Sequence, residues 1–449
     1  MITEAINRYH DLITDTLAAE TYGVMNEELR KRRCYFGDRP LCTVLRPNFF
    51  EPQDWNYLKA ETEVLLGAFR KAHHFAMANA DFRAQLDLES YEEQLFMLDI
   101  GFEVPWTTSR LDSFFDIEQG SLRFVEYNAE TPAGMAYEDQ IADVFLNLEI
   151  MRRFNEDYEI RSFHVSQGLI ASMLEIYRQA GKRDLPQIAI VDWGDVPTLN
   201  EHMICQELFE REGIRTILAD PRGLEYRHGH LWAGDFRIDL IYKRVLCSEL
   251  IHRMGMDNAI VHALKNRDVV MSNAFSAKLL AKKASFVLLS DENNNYLFDD
   301  EERRVIEEHI PWTRRVQERK THFHGDEVDL LPFISQNRDN LVLKPNDEYG
   351  GKGVLIGWET SQDLWDQTLL QAMHMPYVVQ ERVHIAYQDF PSYVDSQLLI
   401  DPRLVDTDPF IFYGRTTSGT MARLSRSTLL NVTAGGGSIT PTFIVQKRS

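Results

Sequence analysis

LVLKPNDEYGGKGVLIG, residues 341–357, is the stretch on which the reading of this chain turns. Leu341, Val342 and Leu343 form a short apolar run that ends at Lys344 and Pro345. An acidic turn follows, then Gly350, Gly351 and Gly353 around Lys352, and a second apolar run starts at Val354. This pattern predicts a strand, a glycine loop and a returning strand. A lysine at a strand end is held where a phosphate can meet it. Glycines carry no Cβ, so the N–H groups of such a loop can close over phosphates. The Walker pattern is not met, because Gly353 and Val354 follow Lys352. If the stretch covers a nucleotide, it does so as a β-hairpin lid; taken alone, it equally suits an ordinary hairpin with solvated lysines.

Composition bounds the alternatives. A chain of 449 residues with 44% hydrophobic and 26% charged residues is that of a globular enzyme of two or three lobes. The 69 acidic and 48 basic residues leave a formal charge of -21, which repels nucleic acid and anionic membrane. Neither is therefore expected as a partner. Cys34, Cys42, Cys205 and Cys247 show neither metal-site spacing nor a disulfide framework, so a reducing compartment is expected. The opening MITEAINRYHDLITDTL brings acids early, and no run approaches the roughly 18 apolar residues of a membrane span. A cytoplasmic location is the expectation.

Residues 1–95 read as mostly helical, with a proline-rich break at residues 39–52. His73 and His74 are adjacent and so point to different helix faces, with no carboxylate at helical spacing; they read as structural or solvated. From Gly101 the texture changes to strands. TTSRLDSFF (107–115) and LRFVEY (122–127) flank a polar turn and predict a hairpin. Alternation puts Glu126 and Asn128 on one face with Tyr127 opposite, and Arg110 and Asp112 share a face across the hairpin. Asp112, Glu126 and Asn128 offer the hard oxygens that Mg²⁺ takes, and Arg110 beside them suits developing negative charge. The alternative is a charge ladder on an exposed hairpin.

QIAIVDW, a helix over residues 200–212, RTILAD, HLWAG and RIDLIYKRV predict a small open α/β sheet. The turn WGDVP carries no dinucleotide fingerprint. AKLLAKKASFVLLSD reads as one helix whose Lys278, Lys282 and Lys283 form a solvated face, followed by the charged helix DDEERRVIEEHI. MPYVVQERV predicts a strand. In the β-rich tail, Arg415, Arg423 and Asn431 with Gly435, Gly436 and Gly437 predict a phosphate-lined pocket.

The order of these pieces resembles the ATP-grasp superfamily: a strand ending in Lys-Pro, a GGKG lid, then a VVQE strand. Glu126-Tyr127-Asn128 precedes the lysines instead of following them, which is similar to the circularly permuted group and, within it, to glutathionylspermidine synthetase-like proteins. SRLDSFFD, FVEYNAETPAG, IDLIYKRV, KLLAKKASFVLL, LVLKP and VVQERV stand in that family's order over roughly residues 90–445. The resemblance implies an α/β (α+β) fold. Residues 1–95 would be a helical region, 96–184 the metal-box hairpin with helices, 185–270 a pre-ATP-grasp-like substrate domain, and 271–449 the lysines, lid, adenine strand and core strands. It implies Arg110 as the transition-state arginine and Asp112, Glu126 and Asn128 as Mg²⁺ ligands. ATP would be held by Lys283 or Lys282, by Lys344, by Gly350, Gly351, Lys352 and Gly353, and by Gln380 and Glu381. Thr131 falls where the family binds a peptide substrate, and Arg244 replaces a family threonine near the substrate strand. The tail NVTAGGGSITPTFIV is closer to a second permuted group. No amidase segment precedes residue 90, so the synthetase part alone is expected.

The implied activity is an ATP- and Mg²⁺-dependent carboxylate-amine ligase that acts on small-molecule acid and amine substrates through an acyl phosphate. A nucleotide-binding protein without chemistry and a phosphotransferase using the same pocket are the rivals.

Overall fold

The structure, a computed structural model, describes residues 2–428 and 437–448. Its largest element is a nine-stranded sheet in which sequence neighbours are scattered. One path runs Tyr387–Val394, Gln397–Val405, Thr416–Ser425, Asp408–Phe412, Thr108–Asp116 and Ser121–Asn128. Ser438–Lys447 pairs with Thr416–Ser425 and also carries Asn48–Phe50 and Tyr158–Arg161. The 108–128 hairpin thus joins strands from the far end of the chain, with Arg110 opposite Phe410.

The long helix Pro52–Ala78 starts with proline in its first turn and a Glu51/Asp54 capping box. It buries Leu58, Leu65, Leu66, Phe69 and Ala72, and Phe69 packs on Tyr127 of the hairpin. His73 lies buried with Nε2 3.2 Å from the Ser276 carbonyl, whereas His74 is exposed.

A second sheet, antiparallel, has the order Thr313–Arg315, Tyr377–Glu381, Leu341–Pro345, Leu355–Ile356. Strand alternation along Leu341–Pro345 buries Leu341 and Leu343 against Trp365 and Val379, under the helices Leu330–Gln336 and Gln362–Ala372. Val342 and Lys344 are thereby turned to the opposite face. A third sheet is parallel, Val270–Ser272, Leu240–Lys243, Ile188–Val191, Thr216–Ala219, and the strands IAIV and LIYK are buried throughout, as strands covered on both faces must be. HLWAG does not join it; it forms the middle of a separate three-stranded antiparallel sheet.

The segment expected as one lysine-faced helix is broken into Lys278–Ala281 and Ser285–Ser290. The buried Asn346 intervenes: its carbonyl accepts from Lys283 N at 3.0 Å and its Oδ1 from Ala284 N at 2.9 Å. Lys278 and Lys282 are not solvated but 2% exposed, because Glu92, Glu130 and Asp347 surround them. All four cysteines are free and buried. Among the described residues no helix is long and apolar enough to cross a membrane.

Candidate active site

The hairpin is antiparallel with Arg110 opposite Asn128 and Asp112 opposite Glu126, and its register slips between Asp112 and Ser113. That slip is decisive. Strict alternation would carry Glu126 to the same face as Leu122 and Phe124, which are core residues. The extra residue, Val125, re-phases the strand so that Tyr127 turns into the core while Glu126 and Asn128 face a cavity. It also leaves the Val125 carbonyl to accept from Lys344 Nζ at 3.3 Å.

Asp112 sits between two arginines. Its Oδ1 accepts from Arg110 Nε at 2.8 Å, and its Oδ2 from Arg110 Nη2 at 3.0 Å and Arg423 Nη2 at 2.6 Å. Burial acts to raise the Asp112 carboxyl, but the two guanidinium groups outweigh it and hold the group below the usual carboxylate range. Arg110 Nη1 donates to the Ala133 carbonyl at 2.8 Å, tying the arginine to the loop after the hairpin. Arg423 Nε donates to Asp406 Oδ2 at 2.8 Å. Asp408 Oδ2 also lies 2.8 Å from Arg423 Nε, yet neither Asp408 oxygen has hydrogen-bond geometry to any described residue. Burial pushes both Asp406 and Asp408 upward. Three buried carboxylates thus share two guanidinium groups.

The two candidate nucleotide lysines converge from different elements. Lys283 Nζ lies 3.1 Å from Glu126 Oε1 and donates to the Glu348 carbonyl at 2.6 Å. Lys282 points away, to Glu92 Oε2 at 2.9 Å, so of the two registers only Lys283 reaches the cavity. Lys344 Nζ donates to Gln380 Oε1 at 2.6 Å. Burial, partly opposed by the neighbouring Glu126, lowers its pKa to about 8. In the lid, Gly350, Gly351 and Gly353 have φ of 67°, 76° and 71°. A Cβ on Gly353 would come 2.8 Å from Pro345 Cγ, so both conformation and space demand glycine there.

The cavity enclosed by these groups measures about 410 Å³. It is lined by Arg110, Asp112, Glu126, Asn128 and Thr131 from the hairpin side and by Lys283, Lys344, Gly350, Gly351, Gln380 and Glu381 from the lid side. Lys352 does not line it; the side chain is exposed and paired with Glu348 at 2.9 Å. Gly353 shapes the lid from outside the cavity wall. Arg244, expected at the substrate, is instead buried behind it. It donates to the Pro132 carbonyl and lies 3.7 Å from Glu201 Oε2, because both groups need a partner in the interior. Arg415 is drawn off to Glu103 at the surface, while Asn431, Gly435 and Gly436 lie outside the described residues. Glu381 carries His324 at 2.8 Å at the rim of a second hollow of about 570 Å³.

Asp406, Asp408 and Glu201 entered no sequence motif. The first two were visible as a D-x-D in RLVDTDPFIF, a pattern that places two acids on one strand face. Nothing local marked Glu201.

No family model matches the chain. It is 27% identical over 337 residues, 71% of its length, to a protein of Frankia casuarinae provisionally named glutamate–cysteine ligase 2-2. A second match, 28% over 214 residues and 45% of the chain, is to a Frankia alni protein provisionally named glutamate–cysteine ligase 2-3. The aligned parts make up 36% and 23% of those two proteins, so the chain spans about a third or less of the relatives it matches. Among solved structures it superposes on a glutathione synthetase-like effector from Globodera pallida with a TM-score of 0.62. The two are 11% identical, and 97% of this chain and 98% of the effector are covered. The fold is therefore the mixed α/β one expected, shared over nearly the whole length of both chains.

Proposed function

We propose that this chain is an ATP-dependent carboxylate-amine ligase built on a permuted ATP-grasp arrangement. What carries the reading is the convergence in one cavity of a phosphate-binding set and an acid-activating set. The Lys344–Val125 hydrogen bond, 219 positions apart in sequence, marks where they meet. The ligase names of the curated relatives point the same way.

The residues present fit ATP and Mg²⁺. Glu126 faces the cavity with one-third of its side chain exposed and Lys283 3.1 Å away, and the neighbouring Asn128 keeps its Nδ2 buried without a hydrogen bond among the described residues, a donor that suits a phosphate oxygen rather than the metal. Asp112, Glu126 and Asn128 would hold Mg²⁺, which supplies charge neutralisation for the triphosphate. Lys283 and Lys344 would bind the phosphates as point charges, and the lid glycines would present backbone N–H groups over them. The substrate carboxylate oxygen then attacks the γ-phosphorus and ADP departs. The amine attacks the resulting acyl carbon and phosphate leaves, with the amine proton released. Arg110, oriented by Asp112 and the Ala133 carbonyl, would stabilise the negative charge of both steps.

The test is amine- and acid-dependent ADP release. Glu126→Ala is expected to reduce it at least about 100-fold, the scale of losing one preorganised electrostatic group. Full activity in that variant sinks the assignment. ATP binding without turnover for any acid and amine pair would favour a nucleotide-binding protein without chemistry.

A further inference from the structure

Lys344 is held in the cavity by neutral oxygens. Its Nζ donates to the Gln380 amide Oε1 at 2.6 Å and to the Val125 carbonyl at 3.3 Å, while the Lys283 ammonium of the same cavity repels it. The Gln380 amide is the shorter of the two contacts, so the position of the lysine depends on which end of that amide faces it.

An amide side chain carries an acceptor at one end and two donors at the other, and a half-turn exchanges them. Gln380 is only 3% exposed, so water cannot satisfy an end that is turned the wrong way. Thr313 fixes the turn. It stands directly opposite Gln380 in the antiparallel pair of Thr313–Arg315 with Tyr377–Glu381, and on the other side Gln380 stands opposite Val342, diagonal to Lys344. Thr313, Gln380 and Lys344 thus run across three strands on one face of the sheet. The Thr313 hydroxyl donates its single proton to the Pro311 carbonyl at 2.8 Å, and its oxygen accepts from Gln380 Nε2 at 3.0 Å. That leaves the amide oxygen for the ammonium. The backbone of Thr313 is itself pinned, its N donating to Ser290 Oγ at 3.2 Å and its carbonyl accepting from that hydroxyl at 3.0 Å. Thr313 is fully buried and does not line the cavity, so it acts at one remove from any ligand.

We propose that Thr313 is a positioning residue for the phosphate-binding lysine, fixing the Gln380 amide so that its oxygen, and not its NH2 group, meets Lys344. The inference rests on the nucleotide reading of the cavity and adds a member that stands behind its wall. Thr313→Val keeps the shape of the side chain and removes the acceptor. Gln380 must then keep a buried NH2 group unpaired or turn it toward the ammonium, donor against donor, and the turn releases Lys344.

The first arm of the test is calorimetric titration of the full chain with a non-hydrolysable ATP analogue and Mg²⁺. Thr313→Val is expected to bind about ten-fold more weakly than wild type, the scale of one hydrogen bond to a charged group. Thr313→Ser keeps the hydroxyl and should bind within about two-fold of wild type. In a Gln380→Met background the valine substitution should add less than about two-fold, because no amide is left to orient. The second arm needs no nucleotide: acetylation of Lys344 by acetic anhydride, read by mass spectrometry of its peptide and normalised to the exposed Lys352, should be faster in Thr313→Val and unchanged in Thr313→Ser. If Thr313→Val does not fold, Thr313→Ala removes the same hydroxyl and serves in both arms. Equal affinity and equal acetylation in wild type and Thr313→Val overturn the proposal, as does a loss that persists undiminished over Gln380→Met or is not restored by serine. A wild type that binds no analogue, but whose Lys344 acetylation still answers to Thr313, would keep the positioning role and remove the nucleotide reading instead.

Discussion

Lys344 is the residue whose environment makes the sharpest demand on solution behaviour. With its pKa lowered to about 8 by burial, it loses its charge as pH rises through that value, so ATP binding should weaken between about pH 7 and pH 9. The KM for ATP measured across that range should rise in the wild type, and Lys344→Arg should flatten the rise because the guanidinium stays charged. The sign for stability is opposite. Between about pH 8 and the ordinary lysine value the unfolded chain holds a proton that the folded protein has released. The ligand-free protein therefore gains stability from this group as pH climbs through that window. Thermal melts of wild type and Lys344→Met against pH test that slope. At the same scale, Glu126 shows how one bulged residue redirects a site: with Val125 in regular register the carboxylate would point among Leu122 and Phe124.

At the scale of elements, the lid is held by its base. Asp347, two residues past Pro345, takes Lys278 Nζ at 2.9 Å and Lys282 Nζ at 3.4 Å, and Lys278 also reaches Glu130 at 3.4 Å in the loop after the hairpin. Lid, lysine segment and the loop after the hairpin are thus joined through one buried ammonium. The carboxylate of Asp347 is partly exposed, so its pairing is worth about 1 kcal/mol or less. Asp347→Asn should accordingly raise the KM for ATP about five-fold, with turnover at saturating ATP nearly unchanged. Within the lid, Gly353→Ala must adopt positive φ and crowd Pro345. A cost of about 1–2 kcal/mol in lid closure is expected, readable as faster proteolytic nicking in the presence of an ATP analogue.

For the whole molecule, the large sheet is what unites the two halves of the candidate site. Asp408–Phe412 pairs with Thr108–Asp116 on one side and Thr416–Ser425 on the other, bringing Arg110, Asp112 and Arg423 together. Phe410 is fully buried at that seam. Phe410→Ala should cost about 3–5 kcal/mol of unfolding free energy and lower the melting temperature, because a cavity opens between strands distant in sequence. The charge distribution works at this scale too: four cations, Lys283, Lys344, Arg110 and Arg423, line one cavity together with the carboxylates of Asp112, Glu126, Glu201, Glu348, Glu381 and Asp406.

What the amino-acid order determined by itself is local. The apolar runs with Lys344, Pro345 and three glycines specify a strand, a lid and a return, since strand periodicity and positive-φ glycine need no distant partner. The face shared by Arg110 and Asp112 and the MPYVVQERV strand were legible for the same reason. The tertiary structure alone decided the rest. The choice of Lys283 over Lys282 rests on Asn346 breaking a helix that local propensity would continue. Arg244 left the cavity because Glu201 and the Pro132 carbonyl claim it in the interior, and Glu201 became a cavity wall only when helix Leu199–Arg211 was laid beside the hairpin loop. Burial sets the cost of every unpaired charge, and burial is a property of packing between distant segments that no short stretch of sequence contains.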